Sequence, residues 1–192
     1  MVSKDVFAQS IPLNEESRIR LTVLTEKERG LYFKSLELLP SMRKLGEVDE
    51  DFFWQDATGE DTMTYCIWNK LTNEYMGYCI YQNLCSDEPE IGVEIAESFQ
   101  DQGFGQEVID VLITHFFDRT DCPRLFWRLF RRNGRSTHLA EKMGGRLLRE
   151  HSKMLDMLGE KAALLSEEDL QEYRSFDTLV YVIDRPIKED LK

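Results

Sequence analysis

Gln100-Asp101-Gln102-Gly103-Phe104-Gly105 stands where one kind of hydrophobic pattern gives way to another. Before it, residues 90–96 alternate Ile91, Val93 and Ile95 with Glu90, Gly92, Glu94 and Ala96, the period of two expected of a strand. After it, Val108, Val111, Leu112 and Phe116 recur at helical spacing and predict a helix over about 105–117. The six residues therefore join a strand to a helix. Gly103 and Gly105 allow backbone shapes and close approaches that a β-carbon would block. The first N–H groups of a helix lack intrahelical partners and lie at the positive end of its dipole, which makes such a loop a ready anion site, with a pyrophosphate as its natural guest. A plain strand-to-helix turn accounts for two glycines equally well, so the loop alone leaves both readings open.

Toward the N-terminus, residues 18–24 place Ile19, Leu21 and Val23 on one face of a strand. Thr25 with Glu28 reads as a capping box opening a helix that carries Leu31, Tyr32, Leu36 and Leu39 and stops at Pro40. A short helix is expected at 50–56, with Phe52, Phe53 and Trp54 as its apolar content. Strands at 62–68 and 75–83 are joined across 69–74 as a hairpin. Toward the C-terminus come a strand at 124–130, a helix at 136–143 ended by Gly144-Gly145, and closing strands at 146–150 and 176–183. Between these two lies an acidic segment, 152–174, whose second half opens on a Ser166/Asp169 cap. It is longer than a hairpin needs and reads as a surface excursion, a cover over a cleft or a homodimer contact. No repeat or linker divides the chain, so residues 1–192 are expected to form a single domain. Hairpins in the first half and strand-helix-strand units in the second imply an α/β (α+β) fold. Its core is a central mixed, mostly antiparallel sheet of six or seven strands with helices on both faces. A dinucleotide fold is a poor match, because its glycine-rich turn belongs to the first strand-helix unit of a doubly wound sheet.

The chain has 192 residues, 42% of them hydrophobic, and a formal net charge of −12. That length and composition support a substantial core, and the charge argues against nucleic acid as a partner while mildly favouring a cationic substrate. Cys66, Cys79, Cys85 and Cys122 form no CxxC pair, and His115, His138 and His151 are scattered, so no metal site is expected. Reduced and mostly buried thiols of a cytoplasmic protein are the simplest reading. Neither a signal core nor a run of membrane-spanning length is present, so no membrane association is expected.

Gln100, Gly103 and Gly105 resemble the Q/R-x-x-G-x-G/A hallmark of the GNAT N-acetyltransferase superfamily. Glu90-Ile91-Gly92 precedes the loop at the family's usual distance, and Glu107 follows early in the helix. Asn133-Gly134-Arg135-Ser136 and Glu141-Lys142-Met143-Gly144 resemble the family's N-x-x-S and E-K-x-G segment at the expected separation. The similarity is closest to the branch of ribosomal-protein N-terminal acetyltransferases; it covers 18–185 in element order, with specific motifs confined to 90–144. It implies acetyl-CoA as donor and direct transfer to a primary amine, of a peptide N-terminus or a small molecule. It implies, too, that strands 90–96 and 124–130 are a splayed parallel pair. Backbone groups of Glu94, Ile95 and Ala96 would pair with the pantetheine arm. Behind Gln100, the amides of Gln102, Gly103, Phe104, Gly105 and Gln106 would hold the pyrophosphate, and Asn133 would bond the pantetheine or its thioester end.

Transfer to an amine requires a base, because an ammonium must lose a proton before its nitrogen attacks a thioester. The strand period sends Glu90 and Glu94 to one face, and either carboxylate is a candidate; both are equally consistent with solvated strand residues. Ser136 is the resemblance's candidate for protonating the departing sulfur, and a helix N-cap is its ordinary role. The tyrosine that many members place seven residues after the asparagine is Ala140 here. Gln100 and Gln102 stand where Arg or Lys is common; Arg131, Arg132 and Arg135 are candidates to make up the missing charge, with surface solvation as their ordinary role. Gly145 replaces the family's usual Phe, a change expected to weaken packing. These departures keep a second function open, a catalytically weak acyl-CoA-binding domain serving regulation or assembly. Tyr65, Trp68, Tyr75, Tyr78 and Tyr81 are candidates both for an acceptor wall and for ordinary sheet packing.

Overall fold

The computed structural model describes residues 2–37 and 49–186, so the expected helix stop at Leu39 and Pro40 lies outside the described residues. The chain forms two compact units, Met1–Cys122 and Pro123–Lys192. Seven strands and six α-helices are found among the described residues, the mixed α/β architecture that the order of patterns requires.

In the first unit, β1 (Ile19–Val23), β2 (Met63–Asn69), β3 (Tyr75–Gln82) and β4 (Glu90–Ile95) pair successively as an antiparallel meander. Each begins or ends within a residue of its sequence expectation, because alternation and turn residues are local signals. The Thr25 capping box is formed, though it closes a 3-10 turn at Glu26–Glu28 before α1 (Arg29–Glu37) continues. Asp49 caps α2 (Glu50–Thr58), its carboxylate accepting from Phe52 N at 3.0 Å. α1 and α2 cover one face of the sheet. There Leu24, Tyr32, Phe33, Leu36, Ala57 and Cys66 are buried, with Trp54, Trp68, Tyr75 and Tyr78 packed around them.

The opposite face carries α3 (Phe104–Arg119), which buries Val108, Ile109, Leu112, Phe116 and Phe117. Tyr65 and Tyr81 point to this side, and their phenols are satisfied by the carbonyls of Phe7 (2.6 Å) and Leu112 (2.7 Å). The Phe7 ring lies 4.7 Å from Tyr81 and 5.9 Å from Phe116. Fully burying one such ring contributes roughly 1.5–3 kcal/mol, so the segment before β1 is part of the core. Nothing in its sequence pattern foretells that.

In the second unit, β7 (Thr178–Asp184) lies between β5 (Arg124–Phe130) and β6 (Arg146–His151) and is antiparallel to both. Phe126, Val180 and Val182 form its packed centre. α4 (Gly134–Lys142) starts two residues earlier than the sequence suggests: its cap is Asn133, whose Oδ1 accepts from Ser136 N (3.2 Å), so Ser136 is not the capping residue. Gly144 takes φ +81° and Gly145 N bonds Ala140 O (2.9 Å), ending the helix. A β-carbon on Gly145 would lie 2.7 Å from that same oxygen. The expectation that glycine here weakens packing is therefore corrected: this backbone has no room for a side chain. Segment 152–174 folds as α5 (Lys153–Leu158), a 3-10 stretch, and α6 (Glu167–Arg174), the last capped by Ser166 through Asp169 N (3.1 Å). None of the four cysteines forms a disulfide; Cys66 and Cys79 are buried, Cys122 is half-buried and Cys85 is exposed. Among the described residues no helix is long and apolar enough to cross a membrane.

Candidate active site

β4 ends at Ile95, a 3-10 turn spans Glu97–Phe99, and α3 begins at Phe104, so 100–103 is the loop that joins strand to helix. Two residues in it are left-handed: Gly103 (φ +82°), as expected of glycine, and Asp101 (φ +58°), which the glycine pattern did not mark. Gly103 is the N-cap of α3 and offers no side chain to the first turn. The amides of Gln102, Gly103, Phe104 and Gly105 donate to no acceptor among the described residues, and the first helical bond in the series is Glu107 N to Gly103 O (3.1 Å). Four adjacent unpaired N–H groups at a dipole's positive end form a cradle for an anion.

The loop side chains are spent on holding that backbone. Gln100 Nε2 donates to Ile95 O (2.7 Å), Gln102 Nε2 donates to Ser98 O (2.8 Å), and the Phe104 ring is buried. A residue that sequence reasoning passed over completes the brace. Arg18, just before β1, donates from Nη1 to Gln102 O (3.0 Å) and from Nε to Glu107 Oε2 (2.9 Å), with its guanidinium 4.5 Å over the Phe104 ring. Glu107 also accepts from Arg18 N (2.8 Å) and Ser17 Oγ (2.9 Å). Arg18 thus brings a cation to the loop that lacks one of its own, although Glu107 neutralises part of it. More than eighty positions separate the partners, and no local signal could pair them. Of the arginines considered for that task, Arg131 pairs with Glu150, and Arg132 has a ring contact with Phe176 and no carboxylate partner among the described residues.

Glu90 and Glu94 share a face of β4, with Gly92 between them, and differ sharply in surroundings. Glu90 is buried at the start of the strand and accepts from Asn83 Nδ2 at 2.6 Å. Glu94 lies directly across from Tyr78 in the β3–β4 ladder, on the face covered by α1 and α2. Among the described residues its carboxylate accepts no hydrogen bond and forms no ion pair, and burial pushes it from the ordinary 4.5 up to about 7. Tyr78 packs on Tyr32 with ring centroids 4.9 Å apart. Burial raises the phenols of Tyr32, Tyr75 and Tyr78 well above their ordinary value, so these side chains stay neutral. Among the described residues the enclosed Tyr75 hydroxyl has no hydrogen-bond partner, the Ser35 hydroxyl being given to Tyr32 O (2.6 Å). Trp68, Tyr75 and Tyr78 are thereby separated from Tyr65 and Tyr81, which belong to the α3 core.

Gly77 lets β3 approach β4 beside Glu94. It takes φ +145°, and a β-carbon there would lie 2.0 Å from Glu94 O. The ladder ends just beyond, with Ala96 N donating to Met76 O at 2.8 Å. In the second unit, Asn133 and Ser136 occupy the first turn of α4, joined by the capping bond, and the Ser136 hydroxyl is half-buried with no partner among the described residues. His138 is exposed; His115 belongs to the core, where burial lowers it to about 4.

A family model described as an acetyltransferase (GNAT) domain matches residues 18–146. No curated protein matches the chain in sequence. Solved structures similar to it include a probable GNAT-family acetyltransferase from Chromobacterium violaceum ATCC 12472, at 18% identity over 93% of this chain and 87% of that one, with a TM-score of 0.69. RimL, a ribosomal L7/L12 alpha-N-protein acetyltransferase in complex with coenzyme A, is similar at 16% identity over 92% and 98%, with a TM-score of 0.67. A spermidine N-acetyltransferase chimera from Vibrio cholerae and hSSAT is similar at 14% identity over 88% and 96%, with a TM-score of 0.64. At such identities the likeness is one of fold.

Proposed function

Because the chain belongs to the GNAT acetyltransferase family, we propose that it is an N-acetyltransferase passing an acetyl group from acetyl-CoA directly to a primary amine, of a peptide N-terminus or a small molecule. Acetyl-CoA supplies the acyl group activated as a thioester. The unpaired amides from Gln102 to Gly105 are the support for pyrophosphate binding, and the Gln106 amide follows them in the first turn of α3. The β4 backbone at Glu94, Ile95 and Ala96 serves the pantetheine, as does Asn133.

Glu94 carries the catalytic reading. A carboxyl near 7 is about half ionised at neutral pH, basic enough to accept a proton from an incoming ammonium and acidic enough to release it afterwards. Glu90 is the weaker candidate, since its carboxylate is already engaged by Asn83. The Ser136 hydroxyl is the proton donor to the departing sulfur. Tyr78 across from Glu94, with Tyr32 packed on it, supplies aromatic faces, which favour a cationic acceptor before it gives up its proton. Relatives of the same fold whose names specify a protein α-amine or spermidine agree with an amine acceptor. Four cysteines outside any disulfide support a reducing, cytoplasmic setting.

The test is thiol release from acetyl-CoA against a panel of peptide and polyamine acceptors, together with thermal shift by acetyl-CoA, CoA and dephospho-CoA. Turnover that depends on Glu94 is the expected result. Absence of any shift by a CoA species would sink the proposal, and a shift without turnover on any amine would leave an acyl-CoA-binding regulatory or assembly domain.

A further inference from the structure

The second unit contains a cavity of about 620 Å3 lined by Arg131, Arg132, Arg174, Glu150, Asp177 and Gln171. Its cations come from separate elements. Arg131 and Arg132 follow β5, held through their backbone amides to Asp177 O (2.8 Å) and Ser175 O (3.0 Å), while Arg174 closes α6.

The three guanidiniums are not equivalent. Arg131 pairs with Glu150 and lies 3.6 Å from Asp177 Oδ2. Asp177 is almost wholly enclosed, with Oδ1 unpartnered among the described residues, so its place is to hold Arg131 rather than to meet a ligand. Arg132 has no carboxylate partner among the described residues. Its plane lies 4.5 Å over Phe176 and 5.7 Å from Phe130, which orients the guanidinium and leaves its N–H edge available. Arg174 likewise forms no ion pair among the described residues. Three guanidiniums against two carboxylates leave the cavity with one net positive charge, in a chain whose total is −12. Two unpaired arginines in one concave site are a carboxylate-recognition arrangement, and one net charge is matched by a monoanion. A phosphate dianion would leave the site negative, against Glu150.

We propose that this cavity binds a small monocarboxylate, taken by Arg132 and Arg174, with the Glu150–Arg131–Asp177 network as its rigid wall. The inference holds whether or not the chain transfers acetyl groups.

The full chain, labelled with nitrogen-15, is titrated at constant ionic strength with N-acetylglycine, with the uncharged N-acetylglycinamide, and with inorganic phosphate. The arginine Nε–H resonances are followed throughout. N-acetylglycine should shift those of Arg132 and Arg174 saturably, the amide should not, and phosphate should bind more weakly. Arg132→Met and Arg174→Gln should each weaken N-acetylglycine by about tenfold or more, the usual worth of a charge-assisted contact, while the backbone spectrum elsewhere reports an intact fold. Non-saturable shifts, equal response to the amide, phosphate binding as tight as the carboxylate, or affinity untouched by both substitutions would each overturn the proposal.

Discussion

Replacing Glu94 by glutamine keeps the shape of the side chain and removes its ability to ionise. The wild-type carboxyl is raised from 4.5 to about 7 because ionising it beneath α1 and α2 loses hydration that no partner replaces. A raised carboxyl means that the folded state holds its proton more tightly than the unfolded chain. Stability is therefore fully retained below about 4.5 and declines as pH climbs through 7, where folding must accommodate a desolvated charge. At roughly 1.4 kcal/mol per unit of pKa, that interval is worth at most about 3 kcal/mol. A neutral amide in the same place carries no such cost. The Glu94→Gln variant should match wild type near pH 4.5 and exceed it at pH 8 by up to about 3 kcal/mol, or about 6–12 °C in Tm for a chain of this size. Calorimetry at the two pH values reads the difference. In the same variant kcat/KM for the amine should fall by about 10²–10⁴, the ordinary range for a lost general base, and the rise of kcat/KM through pH 7 should vanish. A stability difference that does not change with pH would refute the desolvation argument. A pH-dependent difference with unchanged kcat/KM would show a buried carboxyl that is not the base.

Gly103→Val places a β-branched residue at φ +82° within 3.4 Å of Arg18 Nη2 and beside the unpaired amides; strain of about 1–3 kcal/mol should leave the fold intact while the calorimetric signal for CoA binding is lost, and unchanged affinity in a folded variant would contradict the phosphate cradle. Ser136→Ala should slow turnover by about 10²-fold with acetyl-CoA affinity nearly unchanged, because the Asn133 cap uses the Ser136 backbone amide and survives; stopped-flow kinetics decides, and loss of helix content instead would point to a structural role. Gly77→Ala puts a methyl 2.0 Å from Glu94 O, so β3 and β4 must separate, at a cost of about 3 kcal/mol or more; an unmoved denaturation midpoint would show that the strands do not meet as closely as described.

The parts of this protein that the sequence alone determined are those governed by neighbours a few residues apart. The strands around Ile91–Ile95 and Leu125–Leu129 follow from alternation. The Thr25 and Ser166 caps follow from a side chain meeting an amide within one turn, and the left-handed Gly103 from a loop that must turn into a helix. Tertiary structure alone decided the rest. Glu90 and Glu94 are alike in the sequence, and only burial on the face that α1 and α2 cover, opposite Tyr78, makes the Glu94 carboxyl hard to ionise. Arg18 supports the loop from the far end of the sheet, and Phe7 joins a core whose other rings come from 65–116. Even the α4 cap moved, from Ser136 to Asn133, when actual geometry chose between two competent caps. Hydrogen bonds within a turn are short-ranged and can be written into adjacent letters. Desolvation is a sum over every atom that folding brings near, and no stretch of sequence contains that sum.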